Sequence, residues 1–479
     1  MRSLTRQYIG GEWLESTSSV LHDVVNPATE AVCAQVVSGS AEDVHLAVST
    51  ARAAQASFGE WSVEQRAALL ERIVASYEAR TEDLASSVTE EMGCPIDVAQ
   101  AYQVGVGVAH LRSTIAAMLE FAFEERSGAN RLVHEPIGVV GLITPWNWPL
   151  NQIVAKVAPA LAAGCSIVLK PSEAAPTNAA IFAEILDHAG VPPGVFNLVH
   201  GSGTVVGDAI ARHPEVDMVS ITGSTRAGIL VAKAAADTVK RVHQELGGKS
   251  PAIVLDDADL EQAVRGTVGS LLLNSGQSCD APTRLLVPRS AASEAVDLAR
   301  QLMDEAKLAD PTAPGLETLG PVANARQFDR IQALLATAEE EGNPIATGGA
   351  GRPAGFESGL YVKPTVVGPV ANSATIAQEE VFGPVLVVIA YEDDDDAIRL
   401  ANDTPYGLAA YVWTNDEARG MRCARSLKAG NVHFNGAPAA VDAPFGGYKQ
   451  SGNGREFGRF GLQDFLELKA LLGSTDANL

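Results

Sequence analysis

The sequence predicts an α/β protein with parallel sheets in two lobes, and three observations support this fold class. From Ile137 onward, short β-rich runs alternate with helix-length segments, which is the pattern of βαβ units. A second region of the same kind extends from about Ala258 to Val441. At 479 residues the chain is too long for a single core, so two or three domains are expected.

The amino-terminal part of the chain predicts a small β structure followed by helices. Gly10 and Gly11 lie between the apolar residues of the segment 8–13, which is a hairpin signal. Apolar residues then recur at helical spacing until Gly93 and Pro95 end the series. The predicted helices of this part cover residues 41–56, 63–80 and 81–91.

The first α/β region predicts a parallel sheet that is covered by helices on both faces. Its β-rich runs are residues 137–143, 166–169, 195–199, 217–221, 241–245 and 252–255, and its helix-length segments are 151–163, 178–189, 205–213 and 225–237.

The second α/β region repeats this pattern. Its predicted helices are residues 260–273, 293–306 and 324–341, and its clearest strands are 285–287, 361–366 and 385–391.

Two segments, residues 130–135 and 463–471, lie outside both regions. In the second, Leu466, Leu468 and Ala470 alternate with charged residues, which predicts a strand with one apolar face. Such a strand near the end of the chain has an unpaired edge unless another element covers it. Pairing with a second subunit would cover it.

Composition and charge exclude several classes of partner. Hydrophobic residues make up 46% of the chain and charged residues 19%, which is an ordinary globular composition. The net charge of −23 argues against nucleic acid and anionic membranes as partners. Neither a signal peptide nor a membrane span is expected. Five scattered cysteines indicate a reducing compartment, so a cytoplasmic location is expected.

Cys279 is a candidate nucleophile. Gly276 allows a tight backbone path just before the thiol, and backbone N–H groups at the start of an element can stabilise a thiolate. The alternative is a buried, inert cysteine, which is the usual state of a single cysteine.

Two further segments carry candidate catalytic groups. Asn147 lies between two tryptophans and two prolines in the Pro-Trp-Asn-Trp-Pro sequence of residues 145–149. A loop of such low freedom can fix an amide N–H, as an oxyanion hole requires, although a tight packed turn is the simpler interpretation. Glu245 ends a predicted strand and precedes two glycines. Its carboxylate could activate a water or could merely lie in a solvated turn.

Two strand ends predict a nucleotide site. Lys170 and Glu173 follow one strand and could bind ribose hydroxyls, since ligands of open α/β sheets lie at the carboxyl ends of the strands. Residues 223–228 follow another strand and open a helix, whose amino terminus suits a phosphate. No GxGxxG sequence follows a strand, and glycine turns are mostly structural.

The acidic run 393–396 indicates a helix amino terminus, and neither a calcium loop nor a zinc site is expected.

Taken in order, these segments resemble the aldehyde dehydrogenase superfamily over essentially the whole chain. The similar segments are residues 26–29, 145–149, 170–173, 223–228, 245–248, 276–279, 380–384, 444–447 and 451–456.

The resemblance implies a role for each matching residue. Cys279 corresponds to the nucleophile, and Asn147 with the Cys279 backbone N–H to the oxyanion hole. Glu245 corresponds to the general base that hydrolyses a thioester intermediate. The expected cofactor is NAD, with NADP less favoured because the Glu173 carboxylate would repel a 2′-phosphate. The implied cofactor-binding residues are Trp146, Lys170, Ser172, Glu173, Gly223, Ser224, Leu246, Glu380 and Phe382.

The resemblance also implies a domain organisation and an oligomer. A Rossmann-type NAD-binding domain is expected from residues 1–126 and 136–247, and an α/β catalytic domain from residues 248–448. Residues 127–135 and 462–479 are expected to form a bridging β-arm in a homodimer or homotetramer.

Two alternatives and one departure from the family pattern stay open. A CoA-acylating aldehyde dehydrogenase generally lacks a residue corresponding to Glu245, and a non-catalytic binding protein on the same scaffold would be signalled by loss of Cys279 or Asn147. Asp280 directly follows the nucleophile and would disfavour its thiolate, unless its side chain points into the substrate pocket and selects a polar or cationic aldehyde. The sequence does not identify the aldehyde.

Overall fold

Two twisted sheets built mainly of parallel strands form the centre of the computed structural model, which describes residues 2–473. Apolar side chains alternate along the strands and pack on both faces of each sheet. Val140 and Leu142 contribute to the core on one face of the first sheet, whereas Val139 and Ile143 contribute to the core on the other. This burial on both faces explains why the strands read as continuous apolar runs.

The first sheet has its topological switch point beside the strand Val139–Ile143. The chain adds two parallel strands on one side of this strand and then two on the other. A crevice at the carboxyl ends of the strands is the usual ligand site of such a sheet. In spatial order the eight strands are Gly452–Asn453, Arg241–Glu245, Met218–Thr222, Val139–Ile143, Ser166–Lys170, Phe196–Leu198, Arg6–Ile9 and Glu12–Glu15.

Helices cover both faces of the first sheet, and several begin with a side-chain cap. Ser40 and Ser62 each accept a backbone N–H at the start of a helix and form a capping box. The helices and helical turns of this half are Ala41–Phe58, Val63–Glu78, Thr81–Met92, Ile96–Val98, Ala99–Val104, Gly105–Glu120, Pro149–Ala163, Thr177–His188, Gly203–Gly207, Asp208–Arg212, Thr225–Ala235 and Ala236–Thr238.

The second sheet has seven strands, and all adjacent pairs are parallel except the pair at one edge. Beside its central strand, Arg284–Pro288, lies the strand Pro251–Val254, which the sequence pattern grouped with the first region. In spatial order the strands are Ile345–Thr347, Thr365–Val367, Val385–Tyr391, Arg284–Pro288, Pro251–Val254, Ala409–Trp413 and Asn431–Phe434.

The helices of the second half include the one predicted from the acidic run. Asp393 caps it by accepting the backbone N–H of Asp396, and three aspartates occupy its first turn, where a helix amino terminus stabilises negative charge. The helices and helical turns are Leu260–Leu272, Leu273–Gly276, Arg289–Ala291, Ala292–Asp304, Ala325–Glu340, Thr375–Gln378, Asp394–Asn402, Glu417–Ser426, Lys449–Ser451 and Gly458–Asp464.

The two segments outside the α/β regions pair with each other. Leu466–Leu471 lies antiparallel to Asn130–Pro136, which also pairs with Glu124–Ser127 to complete a three-stranded sheet. The predicted strand therefore gains one partner within its own chain. Its residues 463–464 belong instead to a helix, and residues 474–479 of the predicted arm lie outside the described part. The remaining strands are Arg2–Leu4, Leu21–Val25, Val32–Val37, Lys307–Leu308 and Thr318–Leu319.

Candidate active site

A cleft of about 740 Å³ opens at the carboxyl ends of the first sheet's strands. Asn147 and Cys279 belong to its wall, together with all nine residues predicted to bind a cofactor. Glu245 is buried and is not part of that wall. The lining residues are Thr144, Pro145, Trp146, Asn147, Lys170, Ser172, Glu173, Gly203, Thr222, Gly223, Ser224, Thr225, Arg226, Leu246, Gly247, Cys279, Asn324, Arg326, Gln327, Arg330, Glu380, Phe382 and Tyr406.

Four neighbouring parallel strands deliver most of this wall. Trp146 and Asn147 follow the central strand, Lys170 ends the next one, and Leu246 follows the strand that ends at Glu245. Ser224 lies between the fourth strand and its helix, where its hydroxyl accepts the N–H of Ala227 as the helix cap. Residues far apart in sequence therefore meet because parallel strands end at one sheet edge.

Cys279 is placed by a tightly bent segment. Asn274, Ser275 and Gly276 all have positive φ, and a methyl group at Gly276 would lie 2.2 Å from the carbonyl oxygen of Gly383. A methyl group at Gly248 would likewise lie 2.1 Å from the carbonyl oxygen of Cys279. Both glycines are thus required for the close backbone approach that brings the Cys279 segment against two other loops.

Asn147 is fixed beside the segment that carries Cys279. Its amide Nδ2 donates to the carbonyl of Gln277 at 3.0 Å, two residues before the cysteine. Its backbone carbonyl accepts the side-chain amides of Gln103 at 3.0 Å and Asn274 at 2.9 Å. The amide nitrogen has a second hydrogen, so one N–H orients the group and the other can donate to a substrate.

The surroundings of Cys279 favour the neutral thiol. Burial raises its pKa well above the ordinary value, and the carboxylates of Asp280, Glu245 and Glu380 raise it further. The adjacent Asp280 thus acts against the thiolate, in the direction expected from its charge. Formation of the thiolate requires a base or a positive charge near the sulfur.

Glu245 is a buried carboxylate with a pKa close to neutrality. Burial raises this pKa to about 7, the nearby Glu456 adds to the rise, and His243 and Lys156 oppose it. Its Oε1 lies 3.5 Å from Nε2 of His243, and its Oε2 is buried without a hydrogen-bond partner. Such a group can exchange a proton near neutral pH, as a general base requires.

Lys170 and Glu173 form an ion pair in the cleft wall. The ammonium nitrogen of Lys170 lies 3.3 Å from Oε2 of Glu173 and donates to the carbonyl of Pro171 at 2.8 Å. Burial raises the pKa of Glu173, but the charge and hydrogen bond of Lys170, together with a backbone N–H and the nearby His22, bring the net pKa below the ordinary value. The carboxylate is ionised at neutral pH and offers acceptors for ribose hydroxyls.

Glu380 and Phe382 lie in a loop that is held against the glycine pair after Glu245. The carboxylate of Glu380 accepts the backbone N–H of Gly248 at 2.9 Å. The ring of Phe382 packs edge-on against Trp146, with 5.5 Å between the ring centroids. Gln327 donates to the carbonyls of Val381 and Phe382 and fixes the loop from the other side.

Asp280 belongs to a polar group with Tyr411 and His433. The hydroxyl of Tyr411 donates to the carbonyl of Asp280 at 3.1 Å, and its ring stacks on His433 with 4.7 Å between centroids. Burial raises the pKa of the Asp280 carboxyl, while the nearby His433 lowers it. The carboxyl therefore lies beside the nucleophile and close to an imidazole.

The sequence interpretation did not find several residues of the site. Asn324, Gln327, Arg330 and Tyr406 line the cleft, although the helix that begins after Asn324 was predicted. Nothing in the local sequence shows that this helix starts at the cleft. His243 was also missed; its position two residues before Glu245, on the same strand face, is the signal that could have indicated it.

The described residues contain neither a metal-binding cluster nor a membrane-spanning helix. Within residues 2–473 no cluster of three or more His, Cys, Asp or Glu side chains is placed to hold a metal ion. No helix of the same range is long and apolar enough to cross a membrane.

Comparison with known proteins shows the family of this chain. The profile described as the aldehyde dehydrogenase family matches residues 13–471. A 3-succinoylsemialdehyde-pyridine dehydrogenase of a Pseudomonas species is 49% identical over 474 residues, which cover 99% of both chains. A cysteine-to-alanine mutant of aldehyde dehydrogenase C from Pseudomonas syringae, solved with NAD+ and octanal, superposes with a TM-score of 0.97 at 49% identity and covers 99% of this chain and 98% of its own.

A more distant structure leads to the same family. Betaine aldehyde dehydrogenase of Staphylococcus aureus, solved with NAD+, is 37% identical and has a TM-score of 0.95, with 99% of this chain and 95% of the other covered. Since the family profile and these relatives span nearly the whole chain, the protein belongs to the aldehyde dehydrogenase family.

Proposed function

We propose that the protein oxidises an aldehyde to a carboxylic acid with NAD, using Cys279 as the nucleophile and Glu245 as the base for hydrolysis. This proposal rests on one observation: Cys279 and Asn147 line the same cleft as the strand-end residues that suit a nucleotide. NAD-dependent aldehyde oxidation is also the activity of the family to which the chain belongs. Steady-state formation of NADH with an aldehyde tests it.

Cys279 and Asn147 prepare the aldehyde for oxidation. The Cys279 thiol first loses its proton to solvent in the open cleft. The thiolate sulfur then attacks the aldehyde carbon, a carbon–sulfur bond forms, and negative charge develops on the oxygen. The free N–H of Asn147 and the backbone N–H of Cys279 stabilise this charge. The adduct then loses hydride and becomes a thioester.

Glu245 completes the cycle. Its free Oε2 takes a proton from water as the water oxygen attacks the thioester carbonyl. The carbon–sulfur bond breaks, the acid leaves, and Cys279 regains its sulfur charge. The presence of this carboxylate supports hydrolysis over transfer of the acyl group to CoA.

The cleft offers groups that suit a nicotinamide dinucleotide. Lys170 and Glu173 would bind ribose hydroxyls, the helix amino terminus at Ser224 would hold the phosphates, and Glu380 and Phe382 would hold the nicotinamide riboside. Ser172, Gly223, Leu246 and Trp146 would complete the contacts. When bound, NAD supplies the hydride acceptor.

Loss of the Asn147 amide should slow the chemical step. Asn147→Ala is expected to lower kcat by about 10²- to 10³-fold, because one donor to the developing oxyanion is removed. The dissociation constant for NAD should stay unchanged, which equilibrium titration can check. An unchanged kcat under conditions where the chemical step limits turnover would contradict the oxyanion role.

The Glu173 carboxylate should select NAD over NADP. Glu173→Ser removes a charge that would repel a 2′-phosphate, so the ratio of kcat/KM with NADP to that with NAD should rise about tenfold or more. The two cofactors are measured side by side in the parent, in this variant and in the control Glu60→Ser, which alters an exposed residue elsewhere. Equal ratios in all three would contradict this role.

We also propose the domain boundaries given above and a homodimer or homotetramer assembled through the arms. The outer strand Leu466–Leu471 is mostly exposed and has one partner within the described chain, which supports pairing with a second subunit.

A cytoplasmic location is proposed because all five cysteines are unpaired thiols.

The relatives point to more than one class of aldehyde substrate. One relative at 49% identity is named for a pyridine-bearing semialdehyde, and another was solved with octanal. The carboxyl of Asp280 supports an aldehyde that carries a hydrogen-bond donor or a positive charge. A panel of aliphatic, aromatic, amino- and semialdehydes, with kcat/KM for each, would establish the preference.

A further inference from the structure

His243 connects the buried base to a carboxylate that reaches solvent. Its Nε2 lies 3.5 Å from Oε1 of Glu245, and its Nδ1 forms an ion pair with the Asp464 carboxylate. The imidazole is buried, whereas the side chain of Asp464 is 26% exposed. No step of the proposed reaction has so far used this imidazole.

The packing around His243 leaves its ring little freedom. A methyl group at Gly454 would lie 2.9 Å from the ring, so the turn that follows the strand Gly452–Asn453 closes over it. The same turn brings the backbone N–H of Arg455 within 3.3 Å of the Asp464 carboxylate. The imidazole ring and its partner Asp464 are therefore held in place.

We propose that His243 is a positioning residue for Glu245: its imidazolium, held by Asp464, anchors Oε1 of the base and leaves Oε2 free for the hydrolytic water. This proposal rests on the role of Glu245 in the proposed function. It accounts for the contrast between the two oxygens of Glu245, since Oε1 has a partner and the buried Oε2 has none.

The charges around His243 and Glu245 determine the protonation states of these two residues. Burial alone would lower the pKa of His243, but the carboxylates of Asp464 and Glu245 raise it to about 9, and Glu456 adds to this effect. Glu245 also faces Lys156 and the Cys279 sulfur. Arg241 donates to the backbone carbonyl of Asp464. The imidazole is thus cationic at neutral pH and keeps Glu245 more ionised than burial would allow.

Removal of this positive charge should shift the pH dependence of hydrolysis. In His243→Gln the side chain can still donate a hydrogen bond, but the pKa of Glu245 rises, since an opposite charge a few ångströms away typically lowers a carboxyl pKa by about one unit or more. The acid limb of thioester hydrolysis should move upward by about one pH unit, which makes hydrolysis about tenfold slower below that limb.

The experiment separates acylation from hydrolysis. Rapid mixing with NAD and an aldehyde gives a burst of NADH, which counts folded active sites, and a steady rate, which reports hydrolysis where hydrolysis limits turnover. Parent, His243→Gln, Asp464→Asn and the exposed control His188→Gln are compared across pH. We expect equal bursts, a one-unit shift in His243→Gln, a smaller shift in the same direction in Asp464→Asn and no shift in His188→Gln.

Three results would overturn the proposal. A His243→Gln profile that superimposes on the parent excludes the charge effect. If the acid limb shifts in His243→Gln but not in Asp464→Asn, Asp464 does not hold the imidazolium as proposed. Absence of NADH formation in the parent itself would refute the proposed function, and the role of His243 with it.

Discussion

Replacing Cys279 with alanine should abolish aldehyde oxidation, with a fall in kcat of about 10⁴-fold or more. Without the sulfur no tetrahedral adduct forms. The trigonal carbon of a free aldehyde does not release hydride, because its oxygen carries no negative charge that could expel it. The cleft keeps its nucleotide-binding groups, so NAD should bind the variant with the affinity of the parent. Absorbance of NADH and equilibrium titration of NAD measure the two effects separately.

The matched control for this variant is Cys33→Ala. Cys33 is a half-buried thiol in a small sheet outside the cleft, and its loss should leave kcat within about twofold of the parent. Residual turnover of Cys279→Ala above a few per cent of the parent would show that another group attacks the aldehyde. Loss of NAD binding would instead show that the sulfur supports the cleft structurally.

Glu245→Gln should separate the two halves of the reaction. The substitution preserves size but removes the base, so the first turnover should yield about one NADH per active site and the thioester should then accumulate. Steady turnover should fall by about 10²- to 10⁴-fold, the usual contribution of a positioned general base. Stopped-flow absorbance of NADH records the burst and the slow phase in one trace.

The exposed residue Glu71, on the helix Val63–Glu78, provides the control for this charge change. Glu71→Gln removes a carboxylate outside the cleft and should show the parent's steady rate. If Glu245→Gln turned over like the parent, another group would have to activate the water. If it gave no burst, Glu245 would be needed before hydride loss, for example to ionise Cys279.

The fold could largely be predicted because its strands and helices are long and regular. Apolar runs and helical spacing predicted the five parallel strands of the first sheet, the strand Val385–Tyr391 and most long helices within a few residues. The amino-terminal hairpin and the capped acidic helix were also correct. These elements depend on local patterns of burial, turn residues and caps, which the sequence shows directly.

The errors have identifiable physical causes. The predicted strand 361–366 begins only at Thr365, because Pro364 lacks the N–H that a ladder needs. The helix Gly105–Glu120 was missed because its glycines obscure the helical spacing. The local pattern grouped the strand Pro251–Val254 with the wrong sheet, although the domain boundaries implied by the family resemblance placed it in the second half. Sheet membership depends on pairing between distant segments, which no local pattern contains.

For the site, the sequence indicated the residue types but not how the fold brings these residues together. Cys279, Asn147 and the cofactor segments were recognised from motifs and family resemblance. Asn147 and the segments after the first sheet's strands meet because those strands end at one edge, whereas Cys279 reaches the cleft through the close backbone approaches at Gly248 and Gly276. Strand alternation could have indicated His243, but no local pattern points to the Asp464 carboxylate behind it. His243 meets Asp464 only because the chain returns to the first sheet near its carboxyl end.

The most direct test of the account is to locate the acyl group. Glu245→Gln is mixed with NAD and an aldehyde, quenched in acid after the burst, digested and analysed by mass spectrometry. We predict the mass of one acyl group on the peptide that contains Cys279, in proportion to the NADH formed. A full burst with no acyl group on that peptide, or with the acyl group on another residue, would contradict the account.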